Sequence, residues 1–146
     1  MTAALTCEAL RHRYETAGEN PWILNGIDFE IQRGETAVLC GPSGSGKTTL
    51  LSVAGCLLTP SNGKVFIGGK RVGGDWNSLS DIRRLHIGFV FQHAQLLPFL
   101  TVEDNLSVVA GNLGLAPQVG IERIGSLLEK LEMSEHAQKE ASVLSG

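Results

Sequence analysis

A glycine-rich segment at residues 41–48 constrains the fold of this chain more than any other stretch. Its letters, GPSGSGKT, fit the pattern G-x-x-x-x-G-K-[ST]. The glycines allow backbone angles that other residues resist, so successive N–H groups can turn inward around an anion. The pattern therefore predicts a phosphate-binding loop made of Gly41, Pro42, Ser43, Gly44, Ser45, Gly46, Lys47 and Thr48.

The flanking residues supply the context that such a loop requires. Residues 36–40 form an apolar run that predicts a buried strand, and residues 48–58 predict an apolar helix. The positive end of this helix would face the bound phosphates. Lys47 would add a mobile charge for the outer phosphates, and the hydroxyl of Thr48 suits a ligand position on Mg²⁺. A dinucleotide fingerprint is excluded, because its last glycine would fall on Thr49.

Charge and composition narrow the class of partner and the compartment. The net charge of −3 and the pI near 5.8 argue against a nucleic acid polymer as the main partner. No apolar run reaches membrane-spanning length, and the amino terminus lacks the basic and apolar blocks of a signal peptide. Cys7, Cys40 and Cys56 form no C-x-x-C pair. We therefore expect reduced thiols in a cytosolic protein, with Cys40 and Cys56 as small core residues.

The alternation of apolar and polar residues predicts an α/β fold. Residues 5–14 and 22–31 predict two early strands, which are expected to belong to an antiparallel sheet, and residues 64–72 predict a hairpin after a turn at 60–63. A second buried strand is predicted at residues 87–91, so the later strands should be parallel and covered on both faces. Helices are predicted at residues 80–85, 102–109, 121–131 and 134–141.

Four further sequence features, together with the phosphate loop, occur along the chain in an order that is typical of one family. Tyr14 ends the first predicted strand, and Gln92 ends the second buried one, in the sequence FVFQ. Residues 96–106 read LLPFLTVEDNL, and residues 144–146 read LSG. With the phosphate loop, these features resemble the ATP-binding subunits of ABC transporters from about Leu5 to Gly146. The stretch after Gln92 is most similar to the lipoprotein-releasing and macrolide-export branch.

The resemblance implies a fold and a division of the chain. The fold would be an α/β, P-loop NTPase-type three-layer core with an antiparallel β-subdomain at the amino end and a helical segment at the carboxyl end. Residues 1–92 would form the β-subdomain and the phosphate-loop core. Residues 93–146 would form the continuation of the glutamine loop and the helical subdomain, up to the start of the signature motif.

The resemblance also assigns roles to individual residues. Adenine would stack on Tyr14, with Trp22 as a rival for that role. Lys47 would hold the β- and γ-phosphates, the backbone from Ser43 to Thr49 would wrap them, and Thr48 and Gln92 would hold Mg²⁺. Gln92 would also reach the attacking water, which with Lys47 makes the catalytic pair. Ser145 and Gly146 would bind the γ-phosphate of ATP held by a second subunit.

The sequence departs from the family pattern in three places. The signature motif L-S-G-G-Q is present only as its first three letters. No run of four apolar residues is followed by Asp, so no Walker B strand is found, and no histidine follows the signature. We expect an incomplete parallel sheet with exposed apolar edges, which favours aggregation. We also expect poor hydrolysis by this chain alone, because a missing general base costs about 10²–10⁴ in rate.

The expected function is that of an ATP-binding subunit that couples ATP binding and hydrolysis to translocation across a membrane, in the direction of export. Its partners would be a transmembrane permease subunit, contacted by residues 93–100, and a second ATP-binding subunit in a head-to-tail dimer. The apolar side chains of residues 93–100 are equally consistent with a plain core. The chain would lie in the cytoplasm, peripheral on the inner face of the membrane.

Two other functions fit parts of the pattern. One is a non-hydrolysing module that binds nucleotide or a partner without turnover. The other is a different P-loop enzyme, such as a small-molecule kinase. The long antiparallel start before the phosphate loop, Gln92 and the letters LSG disfavour the kinase.

Overall fold

The computed structural model describes residues 2–15, 21–73, 79–92 and 95–144, which form two units, Met1–Ile87 and Gly88–Gly146. The first unit contains β1 (Leu5–His12), β2 (Leu24–Ile31), α1 (Lys47–Ala54), β3 (Asn62–Ile67), β4 (Lys70–Arg71) and α2 (Leu79–His86). The second contains α3 (Val102–Asn112), α4 (Pro117–Lys130) and 3₁₀ turns at Ser134–His136 and Ala141–Val143. Within the described ranges, no helix is both long and apolar enough to cross a membrane.

One antiparallel sheet dominates the first unit. Its strand order is β2-β1-β3-β4, and each neighbouring pair is antiparallel. The predicted α/β fold with an antiparallel amino-terminal sheet is therefore confirmed. A β-bulge interrupts β1, where Ala9 has a φ of 45° and its N–H donates to the Asp28 carboxylate. The hydrophobic core joins this sheet to α1 and contains Cys7, Leu10, Leu24, Val53, Ala54 and Val65.

The two predicted buried strands at residues 36–40 and 87–91 are wrong. Both segments lack regular secondary structure, and Val38 and Val90 are 82% and 101% exposed. Cys40, predicted as a core residue, is exposed as well. An apolar strand of this kind is stable only between paired neighbours that satisfy its backbone groups. Among the described residues, no strand pairs with either segment, so the parallel sheet is not formed.

Several element boundaries also differ from the prediction. Strand β1 ends at His12, so Tyr14 lies beyond the strand that it was predicted to end, β2 begins at Leu24 rather than residue 22, and α4 begins at Pro117 rather than residue 121. Helix α1 ends at Ala54 rather than residue 58, because Gly55 caps it and Cys56 has a left-handed φ of 59°. Asn62, predicted in a turn, begins β3. The helix predicted at residues 134–141 is replaced by two 3₁₀ turns.

Two cysteines are buried together in the first unit. Cys7 and Cys56 are 2% and 1% exposed, which confirms the predicted burial of Cys56. Burial raises the pKa of the Cys7 thiol to about 12, and the proximity of Cys56 adds to the increase. Burial also raises the pKa of the Cys56 thiol. Since the thiolate is the reactive form, both groups are chemically inert in the folded chain.

The second unit is held by pairing between its loop at residues 98–103 and its end at residues 137–142. Thr101 is the N-cap of α3 and forms a capping box, in which its hydroxyl accepts the Asp104 N–H and its own N–H donates to the Asp104 carboxylate. Four backbone N–H groups then join the two segments at 2.9–3.1 Å: Val102 donates to Lys139, Glu103 to Ala137, Ala141 to Leu100 and Ser142 to Pro98.

A buried asparagine holds the same loop from the side of α3. Asn105 is 8% exposed, and its Oδ1 accepts the Leu97 N–H at 2.8 Å. Its Nδ2 donates to the carbonyls of Leu97, Leu100 and Thr101 at 3.1, 3.3 and 2.9 Å. Each of these carbonyls also accepts a backbone N–H, whereas the Leu97 N–H has no other acceptor among the described residues, so the side chain supplies that partner.

We expect Asn105→Ala to lower the free energy of unfolding by about 1–3 kcal/mol, because it leaves the Leu97 N–H without its acceptor. The measurement is urea unfolding followed by circular dichroism. Asn112→Ala is the matched control, since Asn112 lies at the exposed end of the same helix. Equal stability of the two variants would contradict the assigned role of Asn105.

Candidate functional site

The loop at residues 41–48 leads directly into α1. Gly46 is the N-cap and Lys47 the first helical residue. Gly46 has a φ of 87°, a left-handed conformation that favours glycine. A Cβ on Gly46 would lie 3.1 Å from both the side chain and the carbonyl of Ile23. Glycine is therefore required here both by backbone conformation and by the close approach of the loop to the start of β2.

The backbone amides of this loop are largely uncommitted. The N–H of Ser45 donates to the Pro42 carbonyl at 3.4 Å, and the N–H of Leu50 donates to Gly46 at 2.8 Å. The N–H groups of Ser43, Gly44 and Gly46 have no acceptor within the described ranges. The first N–H groups of an α-helix also lack intrahelical acceptors. Several donors at one helix start thus suit an anion such as a phosphate chain.

The side chain of Lys47 bonds back to the first residues of its own loop. Its Nζ donates to the carbonyls of Gly41 and Pro42 at 2.8 and 2.7 Å. The ammonium group is thus held at the loop by two backbone carbonyls. A phosphate would have to displace these carbonyls, or share the ammonium with them, and a charged acceptor makes the stronger hydrogen bond.

Tyr14 and Thr49 are brought together beside this loop. The Tyr14 hydroxyl lies 3.3 Å from Thr49 Oγ1, and Thr49 is 8% exposed. Trp22, the rival for the adenine-stacking role, is engaged otherwise. The guanidinium groups of Arg13 and Arg11 lie 4.8 and 5.9 Å from the centre of its ring. Tyr14 is therefore the aromatic ring that is tied to the helix of the phosphate loop.

The two predicted ligands of Mg²⁺, Thr48 and Gln92, lie in different units of the chain. Thr48 is exposed in the first turn of α1, and Gln92 is exposed in the second unit, after the stacked rings of Phe89 and Phe91. Ser145 and Gly146 lie outside the described residues, as does His93 of the predicted permease contact. The structure thus groups the phosphate loop with Tyr14 and Thr49.

The donor set around the loop fits Mg²⁺ bound together with phosphates. In the part of the chain that is described, no three His, Cys, Asp or Glu side chains are grouped so as to hold a metal ion. Mg²⁺ characteristically keeps several waters and takes one or two protein oxygens together with substrate phosphates. The Thr48 hydroxyl is a suitable protein ligand of this kind.

Sequence reasoning missed one residue that packs against Tyr14. His12 is 7% exposed, and its ring lies 5.0 Å from that of Tyr14 at 87°. The available signal was the two-residue spacing of His12 and Tyr14 along a predicted strand, which places them on one face. That spacing does not say that the histidine is buried.

The chain is similar to known proteins along its whole length. The family model described as ABC transporter matches residues 24–146. The macrolide export ATP-binding/permease protein MacB of Vibrio parahaemolyticus is 40% identical over 143 residues, which is 97% of this chain and 22% of that protein. The probable syringafactin export ATP-binding/permease protein SyfD of Pseudomonas syringae is 38% identical over 146 residues, 99% of this chain and 22% of that protein.

Solved structures show the same fold. The ATP-binding cassette MJ0796, in a dimeric post-hydrolysis state bound to ADP and Pi, superposes with a TM-score of 0.84 and 30% identity over 97% of this chain and 63% of that one. A second dimeric structure of MJ0796 gives a TM-score of 0.82 and 34% identity, with the same coverage. The chain thus spans about a fifth of the curated relatives and 63% of these cassettes.

Proposed function

The chain belongs to the ABC transporter family and corresponds to part of its ATP-binding domain, and on this premise we propose that it binds MgATP at the loop of residues 41–48. The observation that carries the proposal is the state of that loop. Lys47 is held at the loop carbonyls, and three loop amides have no protein acceptor. This combination of a cation at the loop and free N–H donors suits the negative charge of a phosphate chain.

Each predicted residue has a defined role in the proposal. Lys47 holds the β- and γ-phosphates, and the amides from Ser43 to Thr49 wrap the chain of phosphates. Tyr14 supplies the surface for adenine. Thr48 and Gln92 are the protein ligands of Mg²⁺, which neutralises the phosphate charge when bound. Ser145 and Gly146 act on a nucleotide held by a second subunit.

The proposal extends to two protein partners. Dimeric cassettes among the related structures support a head-to-tail dimer with a second ATP-binding subunit. The ATP-binding/permease nature of the curated relatives supports contact with a transmembrane permease, which would place the chain on the cytoplasmic face of the membrane. The export functions of those relatives support transport in the export direction.

The permease contact is proposed at residues 93–100. Leu96, Leu97 and Phe99 are 49%, 41% and 70% exposed, which favours a contact surface over a core. Within this segment, the carbonyls of Pro98 and Leu100 accept the N–H groups of Ser142 and Ala141, just before the signature letters at 144–146. A partner that displaces the loop would therefore also displace the segment that leads to Ser145.

For the 146 residues alone, we propose binding without turnover, which is the alternative non-hydrolysing behaviour. No apolar run in the sequence ends in the Asp of a Walker B strand. The site therefore has a phosphate cradle but no such carboxylate to orient water.

The test measures binding and turnover on the same preparation. We expect saturable binding of MgATP by calorimetry and phosphate release that is about 10²–10⁴ below that of a complete cassette. Binding should weaken when Mg²⁺ is chelated with EDTA. Absence of MgATP binding would contradict the proposed function, and turnover at the rate of a complete cassette would contradict the proposed lack of hydrolysis.

A further inference from the structure

His12 is a buried histidine whose polar atoms are unused. The residue is 7% exposed, and neither Nδ1 nor Nε2 has a hydrogen-bond partner among the described residues. Burial of an unpaired polar group costs free energy, so such a residue normally requires a reason. None of the roles proposed above uses His12.

The ring of His12 contacts the ring of Tyr14. The two centroids are 5.0 Å apart, and the ring planes are at 87°, which is the T-shaped arrangement that aromatic rings prefer. At its other end Tyr14 reaches Thr49, with 3.3 Å between the two hydroxyl oxygens. Tyr14 is therefore held at its ring by β1 and at its hydroxyl by α1.

The backbone around His12 is fixed independently. The His12 carbonyl accepts the N–H of Ile23 at 2.9 Å. The N–H of Arg13 donates to Ser61 Oγ at 3.2 Å, and Ser61 Oγ donates to the Arg13 carbonyl at 3.4 Å. His12 therefore stands on a rigid part of the sheet, so it can restrict the ring of Tyr14, which is 45% exposed.

We propose that His12 is a positioning residue that orients Tyr14 as the platform for the purine base, with Thr49 as the second anchor. The inference rests on the proposed nucleotide site and deepens it. A ring that is already oriented loses less conformational entropy when the base binds, so affinity for the base increases. Since the imidazole nitrogens make no hydrogen bond, the contribution of His12 lies in the shape of its ring.

The experiment separates the base from the phosphates. Affinities of the 146-residue chain are measured by calorimetry for ATP and for inorganic tripolyphosphate, each with Mg²⁺. His12→Ala should weaken ATP binding about three- to tenfold, which is the effect expected from the loss of one aromatic pair. It should leave tripolyphosphate binding unchanged. His12→Phe keeps a ring without polar atoms, and it should bind both ligands like the original chain.

His136→Ala is the matched control. His136 Nδ1 is also buried without a partner among the described residues, but it belongs to the second unit. This variant should bind both ligands unchanged. The thermal unfolding of each variant shows whether the fold is retained.

Three results would overturn the inference. They are an equal loss of affinity for ATP and tripolyphosphate in His12→Ala, unchanged ATP affinity in that variant, or a loss of ATP affinity in His12→Phe as large as in His12→Ala. The first would assign His12 to the fold alone. An original chain that binds neither ligand would contradict the proposed function itself. The failure of this inference, in contrast, leaves the original chain binding both.

Discussion

Lys47→Ala should weaken MgATP binding by about 10- to 100-fold, because it removes a charge-assisted hydrogen bond to the outer phosphates, which contributes about 1.5–3 kcal/mol. The structure adds a second reason. The ammonium bonds to the Gly41 and Pro42 carbonyls, so the lysine also helps to hold the loop. Without it, the loop would lose order that the bound state needs.

Calorimetric titration of MgATP into the original chain and into Lys47→Ala measures this effect. Lys64→Ala is the matched control, since it removes a lysine whose ion pair with Glu8 is exposed, at 3.7 Å. Exposed pairs of this kind contribute little to stability. Nucleotide affinity that is unchanged in Lys47→Ala would mean that residues 41–48 do not bind the phosphates. A loss of similar size in Lys64→Ala would point to a general charge effect.

The largest effect on stability is expected for Gly63→Ala in β3. Gly63 lies opposite the bulge of β1 and has a φ of 91°. A Cβ there would be 2.5 Å from the Ala9 carbonyl oxygen, 2.6 Å from that of Glu8 and 2.7 Å from the Leu10 Cα. These are backbone atoms, so two central strands would have to separate. Backbone strain and overpacking together should lower the free energy of unfolding by about 3–5 kcal/mol.

Gly26→Ala separates the two contributions to this cost. Gly26 lies on β2 of the same sheet, with a φ of 72° and no heavy atom within 4 Å of an added Cβ. This variant should therefore lose only the strain term, about 1–2 kcal/mol. Urea unfolding of the three chains gives both values. Equal losses at Gly26 and Gly63 would show that the sheet relaxes around the added methyl group at little cost.

The phosphate loop was the most predictable part of the site. Its glycines, lysine and threonine lie in one short segment, and glycine permits the left-handed φ that Gly46 adopts. The sheet was predictable for a similar reason, since the period-2 pattern of β1 and β2 is local. The place of Asn62 in a strand was not predictable. An asparagine followed by a glycine is typical of a turn, but the same pair also occurs in a strand that lies opposite a β-bulge.

Burial was the least predictable property. Residues 36–40 and 87–91 have the composition of buried strands, yet Val38 and Val90 are exposed. Hydrophobicity indicates that a segment gains free energy when it is covered, but it does not say what covers it. The pairing of the loop at residues 98–103 with residues 137–142 likewise joins segments far apart in sequence, which no local pattern reveals.

The sequence by itself determined the chemistry of the loop at residues 41–48, the antiparallel sheet and the family, because these depend on residue types and spacings within contiguous segments. Only the tertiary structure decided that Gly63 faces the bulge of β1, that Asn105 holds the loop before α3, and that His12 and Thr49 hold Tyr14 from two sides. Each of these contacts depends on the distance between atoms of separate segments. That distance is set by the packing of the whole unit and not by any one stretch of the chain.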